Sequence, residues 1–224
     1  MKNLILKEIK DRGITRLCHF TKSKNLSHIL NDFNGILSTD KLPEAYRDIN
    51  DFERYDGRLD YVCCSIQYPN IFYLQRIKDN DILFKDWIIL SIKPEVMTKD
   101  KTLFSKVNAA TQRGKYIKSG IEGLKEIYDP SILTSKRTIV RRFTMPQSCP
   151  TDIQAEVLIH ERIPKEFIQG IIVNNEKQAK EEEVRMMICQ VKEKIPIIVA
   201  PELFTRDVYK KIELGELPVE KLWK

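Results

Sequence analysis

The feature that most constrains this chain is a set of short apolar runs at irregular spacing. Residues 59–67, 86–92, 170–173 and 194–200 each read as strands, rich in Ile, Val and Leu and bounded by turn formers. Helical patterns fall between them unevenly. Leu4, Ile5, Glu8 and Ile9 sit at helical spacing in a segment that stops near Gly13. Ser23 is placed to cap a helix over 24–31 with Leu26, Ile29 and Leu30 on one face, and His28 falls off that stripe as a surface residue. Residues 102–128 turn helical and basic, 135–142 form a basic linker, and Asn174 or Asn175 caps a charged helix to about residue 191. Residues 43–57 are polar and partly helical, and 71–77 fit helix or strand. No Gly-x-Gly-x-x-Gly links a strand to a helix, which argues against a dinucleotide-binding parallel sheet. The expectation is one α+β domain over 1–224, with a mainly antiparallel, split sheet and peripheral helices.

Composition narrows the function class. The hydrophobic (42%) and charged (31%) shares belong to a folded, water-exposed chain rather than a disordered one. No apolar run approaches the roughly 20 residues that span a bilayer, so no membrane partner is expected. The first residues lack the apolar core and cleavage site of a secretory leader. Five cysteines without metal-ligand spacing, and only three histidines, predict neither a disulfide framework nor a metal site. Cys63 and Cys64 are adjacent on a strand and point to opposite faces. A reducing cytoplasm fits this usage. The net charge is +6, and residues 99–142 alone carry eleven Lys/Arg against four Asp/Glu. Such a block suits a polyanion partner and suits an ordinary solvated loop equally well.

Residues 149–164 read Cys-Pro-Thr-Asp-Ile-Gln-Ala-Glu-Val-Leu-Ile-His-Glu-Arg-Ile-Pro. A turn signal leads into an apolar strand whose entrance holds Glu156. Alternation along that strand puts Gln154 and Glu156 on the same side. Both are explained by solvent exposure at a strand start, or by chemistry at the sheet's mouth. Glu161, the rival carboxylate, stands beside Arg162 and reads as a surface pair.

Gln154-Ala155-Glu156 resembles the Gln/Glu-x-Glu signature of ADP-ribosyltransferases. The wider Gln-Ala-Glu-Val-Leu-Ile string resembles the catalytic strand of the DarT family, toxins that ADP-ribosylate DNA bases. Near the N-terminus, His19-Phe20-Thr21 followed by Asn25-Leu26 and Ile29-Leu30 resembles that family's opening His-x-Thr and Asn-Leu-x-x-Ile-Leu. The resemblance spans roughly 14–192. It implies a split-sheet ADP-ribosyltransferase fold with NAD⁺ in the cleft, and Glu156 as the catalytic carboxylate. An essential arginine precedes the family's Asp-Tyr-Val strand; Arg54 is the best match, with Arg47 and Arg58 as competitors. His19, Thr21, Asn25 and Tyr61 are then the NAD⁺-binding candidates, although a satisfied core histidine is the competing reading of His19. Thymidine-directed members continue Tyr-Val-Pro-Phe-Tyr-Phe, whereas this chain has Tyr61-Val62-Cys63-Cys64-Ser65-Ile66, more like the guanine-directed branch.

The chemistry so implied breaks an N-glycosidic bond through an oxocarbenium-like transition state. It calls for a carboxylate that holds the ribose hydroxyls and favours positive charge on the ring, and for a base that takes a proton from the acceptor. Glu156 is assigned both roles. Gln154 and the loop over 143–152 should face the acceptor. Arg137, Arg141 and Arg142 lie just ahead of that loop and are the candidates to follow a single-stranded DNA backbone, with Tyr116 or Phe143 as stacking platforms. By resemblance, the partner is an antitoxin with ADP-ribosyl hydrolase activity, a macrodomain or a related enzyme.

Overall fold

The computed structural model describes residues 1–47, 56–81 and 83–224. The helices are α1 (Lys2–Arg12), α2 (Ile71–Asn80), α3 (Gly120–Glu126), α4 (Glu176–Ile188) and α5 (Asp207–Leu214). The early strands are β1 (Leu17–Lys22), β2 (Gly35–Leu37), β3 (Tyr61–Ile66), β4 (Trp87–Ile92), β5 (Leu103–Ser105) and β6 (Ile117–Ser119). The later ones are β7 (Ser131–Leu133), β8 (Thr138–Val140), β9 (Glu156–His160), β10 (Arg162–Pro164), β11 (Ile168–Val173), β12 (Ile197–Val199) and β13 (Lys221–Leu222).

Nine strands form one hydrogen-bonded order, β13-β12-β11-β4-β1-β3-β9-β5-β6. Among the described strands β11 and β12 pair in parallel and all other pairs are antiparallel. β2 with β10, a long-range pair, and β7 with β8, a local hairpin, make two separate two-stranded sheets. The expected split is present as a seam inside the large sheet. β1 pairs with β4 from Leu17 to Lys22, and β3 pairs with β9 from Tyr61 to Ser65. β1 and β3 themselves meet only through Leu17–Ile66 and Cys18–Ser65. Beyond Cys18 the two halves part.

Alternation along the strands feeds a core on each face. Leu17, Val62, Cys64, Ile88, Leu90, Ile92, Val157 and Ile159 pack on one side with Ile5 and Ile9 of α1. Cys18, Trp87, Ile89 and Ile172 pack on the other, against Ile71, Leu74 and Ile77 of α2 and Val208 and Ile212 of α5. All six residues of β4 are buried, as befits a central strand covered on both faces. Each such Leu or Ile contributes roughly 1.5–3 kcal/mol. Cys63 and Cys64 do face opposite ways, and all five cysteines are free thiols.

α1 ends as expected at Gly13, whose φ of 65° closes the helix. Asn175 rather than Asn174 caps α4, its side chain accepting from Gln178 N–H. The segment over 71–77 is helical, with Asn70 as its side-chain cap. Several expectations are corrected. Residues 102–128 are not one helical stretch: β5 and β6 come first, and only Gly120–Glu126 is helix, because β5 is recruited as a ladder partner of β9. Residues 135–142 are no linker but contain β8, paired back onto β7. Ser23 does not cap a helix; it opens a 3-10 turn (Ser23–Asn25), followed by a π turn (His28–Asp32), and its hydroxyl bonds elsewhere. His28 is half-buried, edge-on to Tyr46 and hydrogen-bonded to Asp32, not a bare surface residue. Of the polar stretch 43–57, Glu44–Tyr46 forms a 3-10 turn and 48–55 lie outside the described residues. No helix among the described residues is long and apolar enough to cross a membrane.

Candidate active site

Glu156 is the first residue of β9, and its ladder partners are Ser65 on β3 and Ser105 on β5. Directly opposed residues share a face, so the half-buried carboxylate rises between two small hydroxyl side chains. Both of its oxygens are held. Asn108 Nδ2 donates to Oε1 at 3.0 Å, and the Ala109 backbone N–H donates to Oε2 at 3.1 Å. Asn108 is itself oriented, because its Oδ1 accepts the Ala110 N–H at 3.1 Å. These two hydrogen bonds fix the orientation of the carboxylate plane at the mouth of the seam.

His19 stands on the other side of the seam. Its Nδ1 lies 2.9 Å from the carbonyl oxygen of Cys63 on β3. A carbonyl can only accept, so Nδ1 carries a proton and, in the neutral ring, Nε2 is an acceptor. Cys63 is two residues from Ser65, the ladder partner of Glu156, so the imidazole bridges from β1 to the strand beside the carboxylate. Thr21 and Asn25 are joined, with Asn25 Nδ2 donating to the Thr21 hydroxyl at 3.0 Å. Tyr61 begins β3, is buried, and packs edge-on to His160 with Arg58 above its ring.

Gln154 is not on the strand, so the expected one-pleat relation to Glu156 is replaced by a turn. Its backbone N–H donates to Asp152 Oδ1 at 2.9 Å, and Asp152 Oδ2 is 3.5 Å from Arg137 Nη2. Burial pushes the Asp152 carboxyl up, while the Gln154 N–H and Arg137 pull it back. The three basic candidates divide. Arg142 is exposed and Arg137 largely so, whereas Arg141 donates to the carbonyls of Pro146 and Cys149 at 2.7 Å each and shapes the loop. Phe143, beside Arg142, is 99% exposed. The charge block over 99–142 is partly spent internally, since Lys106 and Lys118 both pair with Glu126 and Lys99 donates to the Arg162 carbonyl.

The rival carboxylate Glu161 turns away. It sits half-exposed at φ 58° and pairs with Lys41 at 3.2 Å rather than with Arg162. Arg54 lies outside the described residues. Arg47 donates to the carbonyls of Leu42 and Asp40, and Arg58 stacks over Tyr61. A polar cavity of about 140 Å³ lies elsewhere, lined by Lys78, Trp87, Asn175 and Gln178 among others, and none of the site residues borders it. Among the described residues no group of three or more His, Cys, Asp or Glu is placed to hold a metal ion.

The family model described as "ssDNA thymidine ADP-ribosyltransferase, DarT" matches residues 18–205. The chain belongs to the DarT family. It is therefore an ADP-ribosyltransferase of single-stranded DNA with NAD⁺ as co-substrate. The fold agrees. Thermus sp. 2.9 DarT in complex with NAD⁺ superposes with a TM-score of 0.61 at 16% identity, covering 85% of this chain and 98% of that one. The same Thermus protein in complex with ADP-ribosylated ssDNA gives 0.61 at 14% identity, over 86% and 97%. Thermosipho africanus DarTG in complex with ADP-ribose gives 0.57 at 20% identity; it covers 85% of this chain, which spans about half (51%) of that longer one. No curated protein sequence matches.

Sequence reasoning missed the two contacts to Glu156, from Asn108 and from the Ala109 N–H. The segment around them looked helical, and the one local sign was an Asn followed by small residues, a pattern typical of turns.

Proposed function

We propose that this DarT-family chain transfers ADP-ribose from NAD⁺ to a guanine base of single-stranded DNA, as the toxin of a toxin–antitoxin pair. The observation that carries the catalytic part is the two-point hold on Glu156 beside the seam, with His19 reaching across to β3. Glu156 orients the ribose hydroxyls and favours positive charge on the sugar as the bond from C1 to nicotinamide breaks. Nicotinamide leaves neutral, taking the bonding pair. A base nitrogen then forms the new C–N bond and gives up its proton to the Glu156 carboxylate. His19, Thr21, Asn25 and Tyr61 hold NAD⁺. Arg54 supplies the positive group at the pyrophosphate or the acceptor.

Gln154 and its turn meet the base, which must be unstacked to react. Arg137 and Arg142 follow the phosphates, Phe143 offers a ring, and Arg141 keeps the loop in shape. Guanine is favoured by Cys63-Cys64-Ser65-Ile66, which departs from the thymidine-directed sequence. Thymine is the second reading, favoured by the thymidine in the family description. A DNA-modifying enzyme endangers its host, so an antitoxin that hydrolyses the adduct, of macrodomain or related type, is the partner. The Thermosipho africanus DarTG likeness supports this pairing, and the cytoplasm is the compartment we propose for both.

The test supplies labelled NAD⁺ and oligonucleotides that differ at one base, beside an RNA copy. Label should enter the guanine-containing DNA, and folded Glu156→Ala should transfer none. Label on thymine alone would move the acceptor, and equal labelling by Glu156→Ala would remove the carboxylate from its role.

A further inference from the structure

Helix α4 carries a carboxylate where its packing calls for hydrocarbon. Its buried positions are Gln178, Ala179 and Glu182, on the side that packs over β11 and β12. Glu182 is 0% exposed. A carboxylate occupies such a position only when paired, and an apolar side chain there is often equally stable. Glu182 has two partners. Arg185 Nε, on the same helix, lies 3.3 Å from Oε2, and the hydroxyl of buried Ser23 donates to Oε1. Burial raises the Glu182 carboxyl, with Ser23 and Arg185 opposing the rise.

Ser23 is a telling place for that bond to end. It directly follows β1 and lies midway between Thr21 and Asn25, whose side chains are hydrogen-bonded to each other at 3.0 Å. Its own N–H donates to the Asp86 carbonyl at 2.9 Å. One helical turn before Glu182, Gln178 Nε2 donates to the carbonyl of Trp87 at 3.0 Å, and Trp87 is the ladder partner of Lys22. Two polar side chains of α4 thus reach the region where β1 ends, Gln178 on the paired start of β4 and Glu182 on the turn.

We propose that Glu182 is a positioning residue for NAD⁺ binding: through the Ser23 hydroxyl it fixes the turn that presents Thr21 and Asn25. The inference rests on the NAD⁺ role given to those two residues above. Packing alone needs no acceptor at 182. A directional bond to the turn does.

The experiment measures nicotinamide release against NAD⁺ concentration at saturating single-stranded DNA, with thermal unfolding of each variant. Glu182→Leu keeps bulk and removes the acceptor; Glu182→Gln keeps an acceptor oxygen; Ser23→Ala removes the donor and leaves α4 intact. Glu182→Leu and Ser23→Ala should each raise KM for NAD⁺ about five- to tenfold with kcat within about twofold, the size expected for one lost buried hydrogen bond. The double variant should be no worse than either single one, and Glu182→Gln should restore the wild-type KM. A folded Ser23→Ala with wild-type KM overturns the proposal, as does equal KM for the Leu and Gln variants. Should Glu182→Leu fail to fold, Ser23→Ala alone decides. Thr21→Ala separates the layers. If it raises KM while Ser23→Ala does not, the NAD⁺ reading stands and the role of Glu182 falls; if it leaves KM unchanged, the reading of the turn fails and takes the proposal with it.

Discussion

Asn108 donates from its side-chain amide to one oxygen of Glu156 while the next residue's N–H donates to the other, at 3.0 and 3.1 Å. One turn therefore sets the orientation of the carboxylate plane. In the role proposed for Glu156, facing a developing sugar cation, such preorganisation helps because the group does not reorient during the reaction.

Asn108→Ala should lower the rate of transfer about tenfold, equivalent to roughly 1.4 kcal/mol, while leaving the Ala109 bond in place. Thermal unfolding should move little, since the lost bond is half-exposed. Single-turnover nicotinamide release is the measurement, and a wild-type rate would show that the Asn108 bond is dispensable.

Phe143 is 99% exposed and Arg142 is exposed beside it, so neither supports the fold. Phe143→Ala should leave the unfolding midpoint unchanged and weaken single-stranded DNA binding by about 1–3 kcal/mol, one stacked base. Arg142→Ala should flatten the dependence of log K on log salt by about 0.7, the share of one phosphate contact. Fluorescence anisotropy at several salt concentrations reads both.

The folded-state pKa of Asp152 is raised above the ordinary 3.8, chiefly by burial. The fold therefore binds this proton more tightly than the unfolded chain does. The Asp152 contribution is most favourable below pH 3.8 and declines as pH rises from there through the folded value. Asp152→Asn does not titrate and keeps an oxygen for the Gln154 N–H. Its Tm relative to wild type should rise from acid toward neutral pH, and a difference independent of pH would contradict the assignment.

Gly35 has φ 138°, and a Cβ on it would fall 2.2 Å from the Ile163 carbonyl oxygen. It is also paired with Pro164 across β2 and β10. Gly35→Ala should cost roughly 2 kcal/mol or more, read as a lowered urea midpoint, because the obstacle is backbone that cannot swing aside.

What the sequence disclosed depended on whether the deciding physics was local. The apolar runs at 86–92 and 170–173 announced themselves as strands, and they lie within the buried parts of β4 and β11. Gly13, and the pair Asn174-Asn175 of which the second is the cap, marked helix ends through their own conformational chemistry. β5 and β6, three residues each, have no such signature; β5 is made a strand by β9, some fifty residues away, and β6 by pairing onto β5. The same holds at the site. Glu156, His19, Thr21 and Asn25 are candidates through motif resemblance. The grip of Asn108 on Glu156 and that of Glu182 on Ser23 are tertiary, and no spacing rule reaches them.

Among the described residues the ladder between β1 and β3 has only two rungs, Leu17–Ile66 and Cys18–Ser65. A ladder so brief is a weak hinge against bending, so the gape between the parted strands is governed by whatever spans it. The His19 imidazole on the Cys63 carbonyl is such a strut. It works as a gauge block, and a shorter side chain at position 19 would alter the width of the mouth.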